Sequence, residues 1–243
     1  MDPKLLLVLI VLISVFILFN FWNRNKNKNK NVQEGFASNL LNYPTDIVNP
    51  DAPLYEPDKW NSNSCIKAAH NCYSYMLNLI YPDLTNLCEK GEKIINPQPG
   101  HYCGIVKRVY KPETTCNNLT KRVLCDNPSI IMSDRDSKCP AGFYKGALAV
   151  NPGVTYHFYR QNRNGLWSHK DGGRPVTNVD ASGNIIYDPQ TSDRMYPGKR
   201  KYTDFCGYFC IPKNDENKNM CRRKKGVCIY NAPEDQQQIQ EQL

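Results

Sequence analysis

Only four histidines occur in the 243-residue sequence, His70, His101, His157 and His169, and none stands in a metal-binding motif. No HExxH segment is present, and cysteine spacings such as Cys206-x3-Cys210 and Cys221-x6-Cys228 are not those of a zinc knuckle, so neither a metal nor a cofactor is expected. P-loop, GxSxG and dinucleotide fingerprints are missing as well, which removes the common nucleotide-binding and serine-hydrolase signatures. The sequence also lacks a basic stripe interleaved with exposed aromatics. Its formal charge of +8 is gathered into short clusters, Arg24 to Lys30, Lys199 to Lys201 and Arg222 to Lys225, and no nucleic-acid partner is expected.

One long apolar run is present. Leu5 to Phe19 is interrupted only by Ser14, and Phe21 and Trp22 extend it towards the roughly 20 residues that a membrane-spanning helix requires. No small-x-small cleavage site follows, so the run is expected to be an uncleaved anchor, with a cleavable signal peptide as the alternative. The expected partner of residues 5–22 is therefore a lipid bilayer, and the expected localisation is that of a single-pass membrane protein. Orientation is in conflict. Arg24, Lys26, Lys28 and Lys30 follow the run and favour a cytoplasmic domain, whereas eleven cysteines point to an oxidising environment. Because eleven is odd, at least one cysteine is left over by any pairing within the chain, and Cys72 is taken as that one.

Four segments follow from composition: an anchor (1–22), an Asn/Lys-rich tether and Pro-rich linker (23–59), a cysteine-rich domain (60–212) and a basic, Gln-rich tail (213–243). Within the domain, Ile66, Ala69, Tyr73, Met76, Leu77 and Ile80 recur at helical spacing and Pro82 is expected to end that helix. Either Ser64 caps it, or Asn71 caps a shorter helix beginning at Cys72. Residues 85–140 have little periodicity and are expected to be a bridged, loop-rich insertion. Its Asn118-Leu119-Thr120 is a glycosylation sequon. Tyr144 to Val150, Tyr156 to Gln161, Leu166 to Lys170 and Tyr202 to Pro212 read as strands. One main helix followed by an antiparallel sheet is an α+β arrangement stapled by disulfides.

Chemistry, if present, is expected at Cys72. A thiol at a helix start meets unpaired backbone N–H groups that favour the thiolate, and it needs a base within hydrogen-bond reach. His70 is two residues away and points elsewhere on a helix, and His101 lies in the loop-rich insertion. His157, in a strand on the face of Tyr159 and Gln161, is the expected base. His169 is a third candidate whose place depends on the turn at Asn164-Gly165. A two- or four-residue turn sets the two histidines on opposite faces, and a three-residue turn sets them on the same face. Against this stands the plainer expectation that Cys72 is bridged or buried and His157 is satisfied in the core.

The stretches NCYSYMLN, QPGHYCG, CPAGFYKGALAV, YHFYRQNRNGLWSHKDGGRPVTNVDASGNIIYDP and YTDFCGYFCIP resemble a cysteine-rich family of insoluble matrix shell protein type, found in invertebrates, bacteria and large DNA viruses. The order of parts, a cysteine at a helix start followed by a strand histidine, is also similar to the NlpC/P60 branch of papain-like hydrolases. That likeness implies a papain-like (NlpC/P60-like) fold, Cys72 as nucleophile and His157 as base, although an Asp-Cys-Ser-Gly style motif is lacking. The resulting expectation is a membrane-anchored viral or virion protein with a thiol hydrolase or transferase domain acting on a protein or peptide partner. The alternative is a non-enzymatic envelope or matrix protein held by disulfides.

Overall fold

The computed structural model describes Asn20 and residues 49–105, 111–224 and 227–229. The chain divides into two compact units, Met1–Ile47 and Val48–Leu243, and the helices and strands that follow belong to the second. The expected anchor at 5–22, Asn20 apart, the Asn/Lys-rich stretch 23–31 and the Gln-rich end of the tail lie outside the described residues.

Among the described residues five α-helices precede or flank the sheet: α1 (Pro57–Asn61), α2 (Ser64–Ala69), α3 (Cys72–Met76), α4 (Pro82–Glu89) and α5 (Cys116–Asp126). The single helix expected over 64–80 is two. Asn63 caps α2, its side-chain oxygen accepting from the Cys65 and Ile66 N–H groups, and Asn71 caps α3 in the same way through Tyr73 and Ser74. Between them His70 is extended and closes both ends of the break. Its Nδ1 lies 2.9 Å from the Ile66 carbonyl and its Nε2 accepts from the Tyr81 N–H at 3.0 Å. Pro82 begins α4 instead of ending a helix, since the first turn has no intrahelical use for the N–H that proline lacks. The insertion is likewise more ordered than expected. Thr115 caps α5, and Leu119 and Val123, four residues apart, are buried on one face of it.

The six-stranded antiparallel sheet has the order β1-β6-β2-β3-β4-β5, formed by β1 (Ile131–Ser133), β2 (Phe143–Asn151), β3 (Thr155–Gln161), β4 (Trp167–Lys170), β5 (Val176–Thr177) and β6 (Asp204–Pro212). A two-stranded ribbon, β7 (Arg222–Lys224) and β8 (Val227–Ile229), follows. Central β2 is buried from Tyr144 to Val150 on both faces, which explains its near-continuous run of small and apolar residues. On one face Tyr144, Leu148, Val150 and Phe158 pack with Tyr73 and Met76 of α3. On the other, Ala147, Ala149 and Tyr159 pack with Trp167, Tyr202 and Tyr208. Gly146 permits the close approach of α3: a Cβ there would lie 2.5 Å from Ile211 Cδ1 and 2.8 Å from Met76 Cγ.

Four disulfides join these parts: Cys65–Cys88 links α2 to α4, Cys116–Cys206 links α5 to β6, Cys103–Cys125 ties a turn to α5 and Cys139–Cys210 ties an irregular segment to β6. The ladder between β2 and β6 shifts register at Leu148/Ala149, leaving Cys206 as the extra residue of a bulge from which it reaches Cys116 at the start of α5. Cys221 is disulfide-bonded too. The α+β class is thus correct, with several helices in place of one main helix.

Candidate functional site

Cys72 is the free cysteine among the described residues, and it opens α3 as the Asn71 cap requires. Its surroundings do not activate it. The side chain is buried with Tyr73, Met76 and Phe158, and burial pushes the thiol up to about 12, outweighing the backbone N–H groups of Phe158 and Tyr73 that favour the thiolate. No hydrogen bond joins its sulfur to His157 among the described residues.

His157 and His169 are brought together. The β3–β4 register pairs Tyr159 with His169 and Gln161 with Trp167, and Asn162 donates to the Leu166 carbonyl, so the turn is the three-residue loop 163–165 with Gly165 at φ 81°. That loop length sets both histidines on one face of the sheet. Nε2 of His157 lies 2.8 Å from Nδ1 of His169, and Nε2 of His169 lies 3.0 Å from the Val179 carbonyl. A carbonyl only accepts, so His169 carries its proton on Nε2 and accepts at Nδ1 from the Nε2–H of His157. Both rings are neutral, held below the ordinary imidazole range by burial and, at His157, by the neighbouring His169 and Arg200. Tyr202 stacks on His157 at 4.9 Å between ring centroids, and the Tyr196 hydroxyl lies 3.1 Å from His169 Nε2.

These rings form the inner wall of a cleft of about 300 Å³ whose mouth carries Asp171, Arg174 and Arg200. Asp171 is shared between the two arginines: it is in direct contact with Arg200 and lies 3.6 Å from Arg174 Nε. Sequence reasoning did not find Asp171, Tyr196, Arg200 or Tyr202. The first stands two residues past His169, where a signal was available, whereas the others come from a long irregular segment that only folding brings to the sheet. The remaining histidines are structural. His70 bridges helix ends, and His101 Nδ1 accepts from the Gln98 N–H at 3.1 Å in a turn. No group of three or more His, Cys, Asp or Glu among the described residues is placed to hold a metal ion.

Chemically, the pair is an ordered donor chain running from His157 through His169 to a backbone carbonyl, with neutral rings and an ionic mouth. It fixes the tautomer of each imidazole and the path of the segment around Val179. Beneath it, Lys170 is fully buried and donates to the carbonyls of Lys67, Gly172 and Arg174, which ties α2 to the β4–β5 turn.

No protein-family model matches the chain, and no solved structure matches it. A curated protein does: Insoluble matrix shell protein 1 of Ruditapes philippinarum is 34% identical over 158 residues, covering 65% of this chain and 88% of that relative. The chain belongs to the insoluble matrix shell protein family. This relationship corrects the expectation of a membrane-anchored viral thiol hydrolase, since the relative is named for a shell matrix. Among the described residues, moreover, no helix is long and apolar enough to cross a membrane. The virion assignment falls with that relationship; the lipid-bilayer partner and the single-pass localisation find no supporting helix among the described residues, and the segment 5–22 on which they rest lies outside those residues, Asn20 apart. Nothing in these comparisons links the family to NlpC/P60 hydrolases or extends it to bacteria and viruses.

Proposed function

We propose that this chain is a structural matrix protein, a disulfide-stapled module without catalytic activity. The observation that carries the reading is its relationship to Insoluble matrix shell protein 1 across 88% of that protein. The state of Cys72 supports it, because a thiol pushed up to about 12 is a poor nucleophile at neutral pH. In this reading Cys72 fills the core under α3, and His157 and His169 fix the loop around Val179. The four bridges lie within the chain, so insolubility of the assembly would arise from surface contacts and not from disulfide exchange between chains through those cysteines.

The test joins fractionation to thiol chemistry. The full-length protein is expected to stay with insoluble material through detergent and high salt. Native Cys72 is expected to resist alkylation at pH 7 until the fold is opened by denaturant. Rapid alkylation of the native thiol, together with peptide or amide hydrolysis lost in both Cys72→Ala and His157→Ala, would overturn the reading.

A further inference from the structure

We propose that the cleft beside the histidine pair binds an oxyanion group, a carboxylate, sulfate or phosphate, and that Arg174 is its principal charged contact. Arg200 is held by Asp171, yet Arg174 touches that same carboxylate only at 3.6 Å through Nε, and its side chain is 64% exposed, so its terminal N–H groups are turned to the solvent side. The Tyr202 hydroxyl makes no hydrogen bond among the described residues, although the residue is 3% exposed and lines the cleft. Thr177 Oγ1 accepts from the Val179 N–H, which leaves its own proton to donate. The Tyr196 oxygen lies 3.1 Å from His169 Nε2 and its other neighbour is the Tyr159 hydroxyl, so Tyr196 is not counted among the free donors.

Opposed to these donors is one carboxylate, Asp171, already shared by two guanidinium groups, so the mouth carries a net single positive charge. The other carboxylates near Tyr196 are engaged. Asp180 accepts from the backbone N–H groups of Ser182, Asn184 and Asp193, and Asp193 accepts from Ser182 Oγ and the Met195 N–H. The histidines are neutral. A cleft in which two guanidinium groups share one carboxylate, with the exposed one held only loosely, is complementary to a second carboxylate-like group, and charge-assisted bonds from a guanidinium to an oxyanion are the strong ones of this kind. A neutral sugar would gain nothing from the excess guanidinium charge.

This inference does not rest on the matrix role, since a structural module can lack an anion site and an anion-binding module need not be structural. The test uses the oxidised full-length chain and isothermal calorimetry with sodium acetate, sulfate and phosphate against chloride at constant ionic strength, with maltose as the neutral arm. At least one of the three oxyanions is expected to bind and to shift the ring resonances of His157 and His169. Arg174→Gln, at an exposed position that leaves the core intact, is expected to weaken that binding about tenfold or more, and Tyr202→Phe by a smaller factor. Three results would overturn the proposal: no oxyanion binds the folded chain, binding persists unchanged in Arg174→Gln, or maltose binds while the oxyanions do not.

Discussion

Two stretches of the same domain are held together by different means. From Ser64 to Cys139 the chain carries seven cysteines and mostly short helices; from Pro140 to Phe205 it carries none, yet it supplies the centre of the sheet and the whole cleft. The first stretch is covalently fixed: its helices are too short to be stable alone, and the bridges restrict the open chain instead. In the second, buried polar side chains do the corresponding work. Lys170 gathers three carbonyls, Arg160 bonds Asn78 and the Tyr75 hydroxyl, and the histidine pair pins the Val179 segment. A stapled region tolerates weak local structure, whereas a region held by buried polar groups depends on most of them being satisfied; Arg160 leaves only its Nε without a partner.

The largest effect should come from cutting the longest staple. Replacing both Cys116 and Cys206 by alanine opens a loop with a sequence separation of 90, and the chain-entropy treatment gives a loss of about 4–5 kcal/mol for a loop of that size. Denaturant titration should show it, with α5 losing hydrogen-exchange protection before β3 and β4. Equal loosening of both stretches would erase the distinction between them.

Next comes the polar counterpart. Lys170→Met keeps much of the side-chain volume but leaves the carbonyls of Lys67, Gly172 and Arg174 without their donor, a cost of about 3 kcal/mol on the scale of buried unsatisfied groups. The melting temperature should fall with all disulfides intact. An unchanged melt would mean that solvent reaches those carbonyls.

Acid should separate the two means of support further. Burial lowers the folded-state values of His157 and His169 below the unfolded value near 6.5, so the fold favours the neutral rings; that stability is complete above about pH 6.5 and is lost as pH falls. His70, lowered to about 4 by burial, acts with the same sign over pH 6.5 to 4 and contributes up to about 3 kcal/mol. Asp126, raised to about 6 by burial, acts in the opposite direction: protonation relieves a buried charge as pH falls from 6 towards 3.8. Unfolding followed from pH 7 to pH 4 under oxidising conditions should show a net loss of stability, first in exchange protection around β3 and β4. His70→Gln should flatten the pH dependence, and a stability that rises towards pH 4 would contradict the assignment of neutral buried histidines.

The smallest effect is expected at Cys72. Cys72→Ala removes one buried sulfur from a packed site and should cost about 1 kcal/mol, without changing the bridges. A stabilisation, or a reshuffling of disulfides in peptide maps, would show that the free thiol is not a passive core residue.

Much of the local structure was legible because it depends on neighbours in the chain. Asn71 is one of two candidate caps and opens α3, and the odd cysteine count requires a leftover cysteine, which is Cys72; the run Tyr144 to Val150 and the alternation Tyr156 to Gln161 mark the two central strands. Less was legible where one residue type serves two roles. Pro82 can end one helix or begin the next, and the choice fell to packing of α4 through the Cys65–Cys88 bridge. Helix α5 is not legible in the sequence because its buried face is only Leu119, Arg122, Val123 and Asp126, too polar a set to read as apolar periodicity.

By itself, then, the sequence determined the α+β class, two candidate helix starts at Ser64 and Cys72, and at least one cysteine left over from pairing, since caps, parity and short-range periodicity are local or countable properties. The tertiary structure decided which cysteines pair, because bridge partners stand up to 90 residues apart and meet only when helices dock on the sheet. It also decided that a three-residue turn sets His157 against His169, with Tyr196, Arg200 and Tyr202 arriving from a distant segment. Finally it fixed the protonation of Cys72: the helix start favours a thiolate, and burial under α3, a property of the assembled core, favours the thiol more strongly.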